Sequence, residues 1–169
     1  MIIAEQNIKA IISEMPEIEI NSSYSNKIQF GEGNKYELTR WLLEMRDNAY
    51  PLIWLLPSKD NYYNLGKELR KRCKFVIATR ETNKDLFNFT RYNKAFEIVL
   101  KPTLDYLLKG LQKSSISRVN GQEWTIEKFP NYSESSENSP IDLWDALTLE
   151  IDVIFDNDIK CLKSINYNV

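Results

Sequence analysis

Pro51-Leu52-Ile53-Trp54-Leu55-Leu56-Pro57 is the stretch on which the fold turns. Five apolar residues stand between two prolines. Proline removes a backbone donor and its ring clashes with the preceding turn, so no helix can be built across so short a segment. The run is continuous rather than alternating, which predicts a strand buried on both faces. Such a strand needs a layer on each side of its sheet. The pattern places it at the centre of that sheet.

Toward the C-terminus, residues 58–66 read as a polar, tyrosine-bearing loop. Residues 67–79 then alternate. Leu69, Cys73, Phe75 and Ile77 fall on one face, and Glu68, Arg70, Arg72 and Lys74 on the other. The first half of this strand projects charge outward and the second half, Phe75-Val76-Ile77-Ala78, enters the core; one wet face is the antiparallel signature. The alternation in residues 142–155 is nearly faultless, with Leu147, Leu149, Ile151, Val153 and Phe155 inward and Thr148, Glu150 and Asp152 outward. Residues 123–129 alternate too, with Trp124 and Ile126 on one face. The polar, acidic segment 131–140 between these two strands is predicted to be a mobile hairpin tip.

Helices flank this β pattern. Ile8, Ile11, Ile12 and Met15 share one face of a helix over residues 3–15, which stops before Pro16. Residues 17–30 read as a strand or loose hairpin closed by Gly31 and Gly33. Asn34 and Glu37 have capping-box spacing and open a short helix whose Leu38, Trp41, Leu42 and Met45 share a face. A long helical stretch spans residues 92–111, with Phe96, Val99, Tyr106, Leu107 and Leu111 as core contacts. Pro102 must kink or divide it. The sum is one α+β domain over residues 1–169: a mostly antiparallel, possibly mixed, sheet packed by two to three helices and closed by a long C-terminal hairpin.

Composition narrows the chemistry. The 169 residues, 43% apolar and 27% charged, suffice for one core without a staple. With 22 basic and 24 acidic residues the net charge is -2, which argues against a whole-body grip on nucleic acid. Histidine is absent, which removes Ser-His-Asp and Cys-His nucleophiles, most zinc sites and histidine bases. Cys73 and Cys161 stand far apart in apolar-patterned stretches, so both are expected to be buried free thiols from a reducing compartment. The first residues lack the charged start and apolar core of a signal peptide, and no run approaches the roughly 20 apolar residues of a membrane span. The five glycines follow no phosphate-cradling spacing. A protein without catalytic residues, cofactor or metal is expected.

The densest charge cluster is Lys67, Arg70, Lys71, Arg72 and Lys74. It reads as an edge strand defended against wrong pairing, as a contact for an acidic neighbour, or as a contact for DNA phosphates. Glu150 and Asp152 share a strand face, yet a hard-metal site would need further carboxylates. Glu68-Leu69-Arg70 puts arginine where a nuclease-like arrangement wants lysine. Tyr62 and Tyr63 form an aromatic-polar loop suited to contact or to packing over a sheet edge. The four tryptophans read as core or partner contacts. Glu134 and Glu137 in the hairpin tip complete the candidate interface, as acidic complements to the basic strand of an adjacent copy.

The proline-led strand at 51–56, the following Cys73-Lys74-Phe75-Val76-Ile77 and the closing Trp144-Asp145-Ala146-Leu147-Thr148-Leu149 occur in an order that resembles the tail terminator (tail completion) proteins of tailed bacteriophages. The match in order spans most of residues 2–155, though residues 31–48 look like an insertion. The Asn-, Ile- and Lys-rich composition is similar to connector ring proteins of crAss-like phages. The resemblance implies a ring subunit at the head–tail junction of a virion, assembled in the host cytoplasm. Its partners would be copies of itself, neighbouring connector, portal or tail proteins and, non-specifically, the passing DNA, with no membrane involved. The alternatives are a small non-enzymatic adaptor binding one partner through residues 67–74 and, more remotely, a carboxylate enzyme using Mg²⁺.

Overall fold

The computed structural model describes residues 1–21, 24–45, 49–80, 88–121, 123–129 and 144–168, and only the backbone of residues 20, 21, 24, 88, 91, 129 and 144. Helix α1 (Ala4–Ser13) leads into a small hairpin of β1 (Ile18–Asn21) and β2 (Tyr24–Asn26), then β3 (Gln29–Glu32) and α2 (Lys35–Met45). Strands β4 (Leu52–Leu56), β5 (Asp60–Tyr63) and β6 (Glu68–Arg80) follow. A helical run of α3 (Asn88–Arg91), a π-helical segment (Tyr92–Leu100) and α4 (Lys101–Lys113) precedes β7 (Ser117–Val119), β8 (Thr125–Phe129) and β9 (Trp144–Phe155).

The fold is α+β with a mixed, mostly antiparallel sheet in the order β3-β4-β6-β9-β7. Among the described residues only β3 and β4 pair in parallel. The middle strand is β6, not β4 as the double-proline run suggested. The reason is length: β6 is long enough to pair with β9 over twelve residue pairs, from Leu69–Phe155 to Arg80–Trp144. That leaves room for two short strands on its other edge. There β4 pairs with residues 74–78 and β5 with residues 68–71. The stretch expected to be a tyrosine-bearing loop is therefore β5, an edge strand too short and polar to show an apolar period. On the outer edge of β9, β7 and β8 are likewise set end to end.

Both faces of β4 are buried, as the continuous apolar run requires. Ile53 and Leu55 join the main core, which contains Ile8 and Ile11 of α1, Phe96, Val99, Leu107 and Leu111 of the later helices, and Phe75, Ile77, Leu149, Ile151 and Phe155 of the long strands. Leu52 and Trp54 point to the opposite face, into a smaller cluster with Leu38 and Leu42 of α2, Val76, Ala78 and Ala146. Helix α2 covers only that part of its face. Its Asn34–Glu37 capping box forms in both directions: the Asn34 amide donates to Glu37 Oε2 at 2.7 Å, and the Glu37 amide to Asn34 Oδ1 at 3.0 Å. Trp41 is half-buried and Met45 exposed, so the apolar face of α2 is narrower than its pattern suggested.

Three further expectations resolve here. Pro102 sits in the first turn of α4, where the π-helical segment gives way to α-helix, and so divides the long helical run. Gly31 does not end a strand but lies within β3, beside Trp54 in register. A Cβ at Gly31 would collide with the Trp54 ring, whose indole N–H donates to the Gly33 carbonyl at 2.8 Å. Cys73 is buried and its thiol is pushed up to about 12 by burial, whereas Cys161 is exposed in a single 3₁₀ turn rather than in the core. The 131–140 tip, with Glu134 and Glu137, lies outside the described residues. Among the described residues no helix is long and apolar enough to cross a membrane.

Leu55→Ala removes a fully packed side chain from the main core and is expected to lower the urea-unfolding free energy by about 2–5 kcal/mol. An unchanged urea midpoint would contradict the two-sided burial of β4. Gly31→Ala has to displace the Trp54 ring and is expected to cost about 1–3 kcal/mol, read as a lower thermal midpoint with a shift in tryptophan emission.

Candidate interface

On β6, odd-numbered residues face the main core and even-numbered residues the other side. Lys71 is odd, and the structure corrects its assignment as a surface contact: its side chain is 3% exposed. Strands β4 and β5 explain how a lysine enters there. Leu56 faces Lys74 and Asp60 faces Lys71, so residues 57–59 stand opposite only Arg72 and Cys73. The extra residue makes a bulge, and Pro57 is tolerated at such a point because no ladder donor is needed. The Lys71 ammonium donates to Asp60 Oδ1 at 2.5 Å, to Glu5 Oε1 of α1 at 2.9 Å and to the Ser58 carbonyl at 3.3 Å. All three ammonium hydrogens are thus used to clamp the bulge and α1 to the central strand. Burial alone would lower the Lys71 pKa, but the Asp60 and Glu5 carboxylates outweigh it and raise it. Burial pushes the Glu5 carboxyl up, but the hydrogen bond from Lys71, a backbone hydrogen bond and the Lys71 charge together outweigh it and leave the carboxyl below its ordinary value.

The even-numbered cations do face outward beyond the edge of α2, but each is already matched. Arg72 and Lys74 both reach Glu150 on β9, at 3.1 Å and 2.6 Å. The hydrogen bond from Lys74 is the main cause of a lowered Glu150 carboxyl pKa. Arg70 binds Glu68 at 2.7 Å and lies over the Tyr63 ring at 4.5 Å. Arg118 of β7, absent from the sequence-derived cluster, bridges Glu68 at 3.1 Å and Asp156. Its signal was unreadable because the pairing of β7 with β9 brings it beside Glu68 across fifty residues of chain. The strand is not an edge, so its charges do not defend an edge. They form a cross-strand ladder in which a phosphate would have to displace an existing carboxylate. Glu150 is committed to two cations, and among the described residues no three acidic or thiol side chains are placed to hold a metal ion.

The remaining candidates lie at the sheet margins. Tyr62 and Tyr63 are exposed on β5, with the Tyr62 hydroxyl donating to the Ile2 carbonyl at 3.1 Å. Lys67 follows a turn in which Asn64, Leu65 and Gly66 all have positive φ (51°, 56° and 83°). That conformation is costly for leucine, yet Leu65 is fully exposed. Leu65, Lys67, Met1 and Cys161 help line a surface cleft of about 690 Å³. At the opposite margin, Trp124 and Ile126 are exposed beside and on β8. Among the described residues β5 is paired only with β6, and β8 only with β9. Among these residues each has one edge without a neighbouring strand, next to large exposed side chains.

A scan of protein-family models and a search of curated proteins return no match to this chain.

Lys71→Met keeps the volume but leaves Glu5 and Asp60 without their cation, and is expected to cost about 1–3 kcal/mol near neutral pH, less than for a fully buried pair because both carboxylates keep some solvent. The lowered Glu5 pKa makes its pairing fully stabilising above its unfolded value near 4.5 and progressively lost as pH falls through the folded value. The raised Lys71 pKa makes its share fully present below 10.5 and lost as pH rises through the folded value. The wild-type advantage over Lys71→Met, measured by denaturant melts across pH, is expected to shrink at both ends; an advantage that stays constant in acid would contradict the clamp.

Proposed function

We propose that this chain is a structural, non-catalytic virion protein of a tailed bacteriophage, working as a repeating subunit of a ring in the head–tail connector or tail. The observation that carries this reading is the pair of open sheet margins. Among the described residues β5 and β8, with Tyr62, Tyr63, Trp124 and Ile126 exposed on or beside them, each pair with a strand on one side only and stand on opposite sides of one sheet. Natural monomers blunt or cover such edges, since they invite pairing with another chain. Two distinct margins suit head-to-tail association, which closes into a ring when the rotation between copies permits.

The order of patterned segments in the sequence, which resembles that of tail terminator proteins, supports the same reading. The charge pattern supports it against the adaptor alternative. A basic strand offered to an acidic partner would carry free cations, whereas Arg70, Arg72 and Lys74 are matched within the subunit and Lys71 is buried. A ring of such subunits would present balanced, salt-tolerant surfaces rather than a grip on passing DNA.

Light scattering across a concentration series, with electron microscopy of the same samples, tests the proposal. Closed rings of uniform copy number are the expected result. A strictly monomeric protein at the highest attainable concentration would overturn it.

A further inference from the structure

Resting on the ring reading, the topology also points to which strands meet. We infer that β5 of one copy pairs antiparallel with β8 of the next, so that the sheet continues from subunit to subunit. Strand β6 is antiparallel to β5 and to β9, and β9 is antiparallel to β8. Consequently β5 and β8 run in opposite directions within one subunit. β5 stands beside the Leu69 end of β6 and β8 beside the Ala146–Glu150 end of β9, so two copies in the same orientation, offset along the strands, bring β8 of one against β5 of the other as an antiparallel pair, with no need to turn either over.

Register follows from side-chain parity and chemistry. Tyr62 stands opposite Leu69, and Ile126 opposite Leu149, so both lie on the face that carries the main core. A continuous sheet must keep that face on one side, which permits only registers that set Tyr62 against Trp124, Ile126 or Lys128. Placing Tyr62 opposite Ile126 makes every rung favourable. Asp60 then faces Lys128, which would add a second cation beside the Lys71 that Asp60 already binds. Asn61 faces Glu127 at hydrogen-bonding range, and Tyr63 faces Thr125. A shift of two residues one way opposes Asp60 to Ile126; the other way it sets Tyr62 against Lys128, and both lose the charge match. Exposure agrees: residues 60–63 and 124–128 are all solvent-facing in the isolated subunit.

Homotypic pairing of β8 with β8 is the rival arrangement, since a two-fold axis at Ile126 would set Lys128 against Trp124. That arrangement uses one margin twice, leaves β5 open and stops at a dimer.

The test is register-specific cross-linking of the full chain, in a Cys161→Ser background with the buried Cys73 retained. Under mild oxidation, Tyr62→Cys combined with Ile126→Cys is expected to give a disulfide-linked ladder of dimer, trimer and higher species on non-reducing electrophoresis that collapses to monomer when a thiol reductant is added. Neither single variant is expected to cross-link. Adding Lys128→Glu, which sets like charges opposite each other, is expected to lower the ladder yield by about threefold. All substituted positions are exposed, and circular dichroism of each variant checks that the fold is kept. Dimers from Ile126→Cys alone would overturn the proposal in favour of homotypic pairing. Rings seen by microscopy without a 62–126 ladder would overturn the strand assignment while leaving the ring reading intact. Monomers with no ladder would remove both.

Discussion

The pairing of β6 with β9 is the constraint on which the rest of the molecule hangs. Twelve consecutive residue pairs join two strands far longer than any neighbour. Each strand alternates, so the pair fixes two faces along its whole length. Leu69, Cys73, Phe75, Ile77, Leu149, Ile151 and Phe155 make one face an apolar floor interrupted by Lys71. Burying that floor under α1 and the later helices is the main source of stability, at about 25 cal/mol per Å² of apolar surface removed from water. No neighbouring strand is long enough to cover a full edge of this pair. Each edge is therefore completed by two short strands placed end to end, and the joints between them become irregular.

The joint between β4 and β5 illustrates how such an irregularity is stabilised. A one-residue excess there breaks the ladder and leaves the Ser58 carbonyl to accept from the buried Lys71 ammonium. Lys71 fills that space with a cation whose three hydrogens find Asp60, Glu5 and the Ser58 carbonyl. The same interaction ties the N-terminal helix to the strand. A buried ammonium without these partners would cost several kcal/mol, so the bulge, Asp60 and Glu5 must occur together. Gly31 and Trp54 show a second interdependence: the indole lies where any side chain on β3 would stand.

The outer face has a different character along its length. Near β4 it is apolar and covered by α2; farther along it carries the ladder of Arg70, Arg72, Lys74, Glu150, Glu68 and Arg118. Charges paired across strands need no covering layer, which allows a single short helix to serve that side. The margins remain as the places where polar backbone and large apolar side chains are presented together.

Periodicity in the sequence was sufficient for the elements whose environment is uniform along their length. The double-proline run, the alternation of residues 67–79 and 142–155, the stripe of Ile8, Ile11 and Ile12, and the Asn34–Glu37 box all report burial or capping that neighbours in the chain decide. The α+β class and the inward face of each long strand followed from these alone. What periodicity could not show was where one strand stops and another resumes along a shared edge. β5 has no apolar period because its outer edge and both its faces meet solvent or a bulge. Lys71 looked like one cation among five, since its burial depends on Glu5 and Asp60, which approach only after α1 and β5 have packed. Cys161 looked apolar in its local context, yet its turn lies on the surface. Local sequence determined which apolar residues turn inward on each long strand; the order of strands, the burial of Lys71 and the matching of charges across β6, β7 and β9 were decided only by tertiary packing, because each depends on partners brought together from distant parts of the chain.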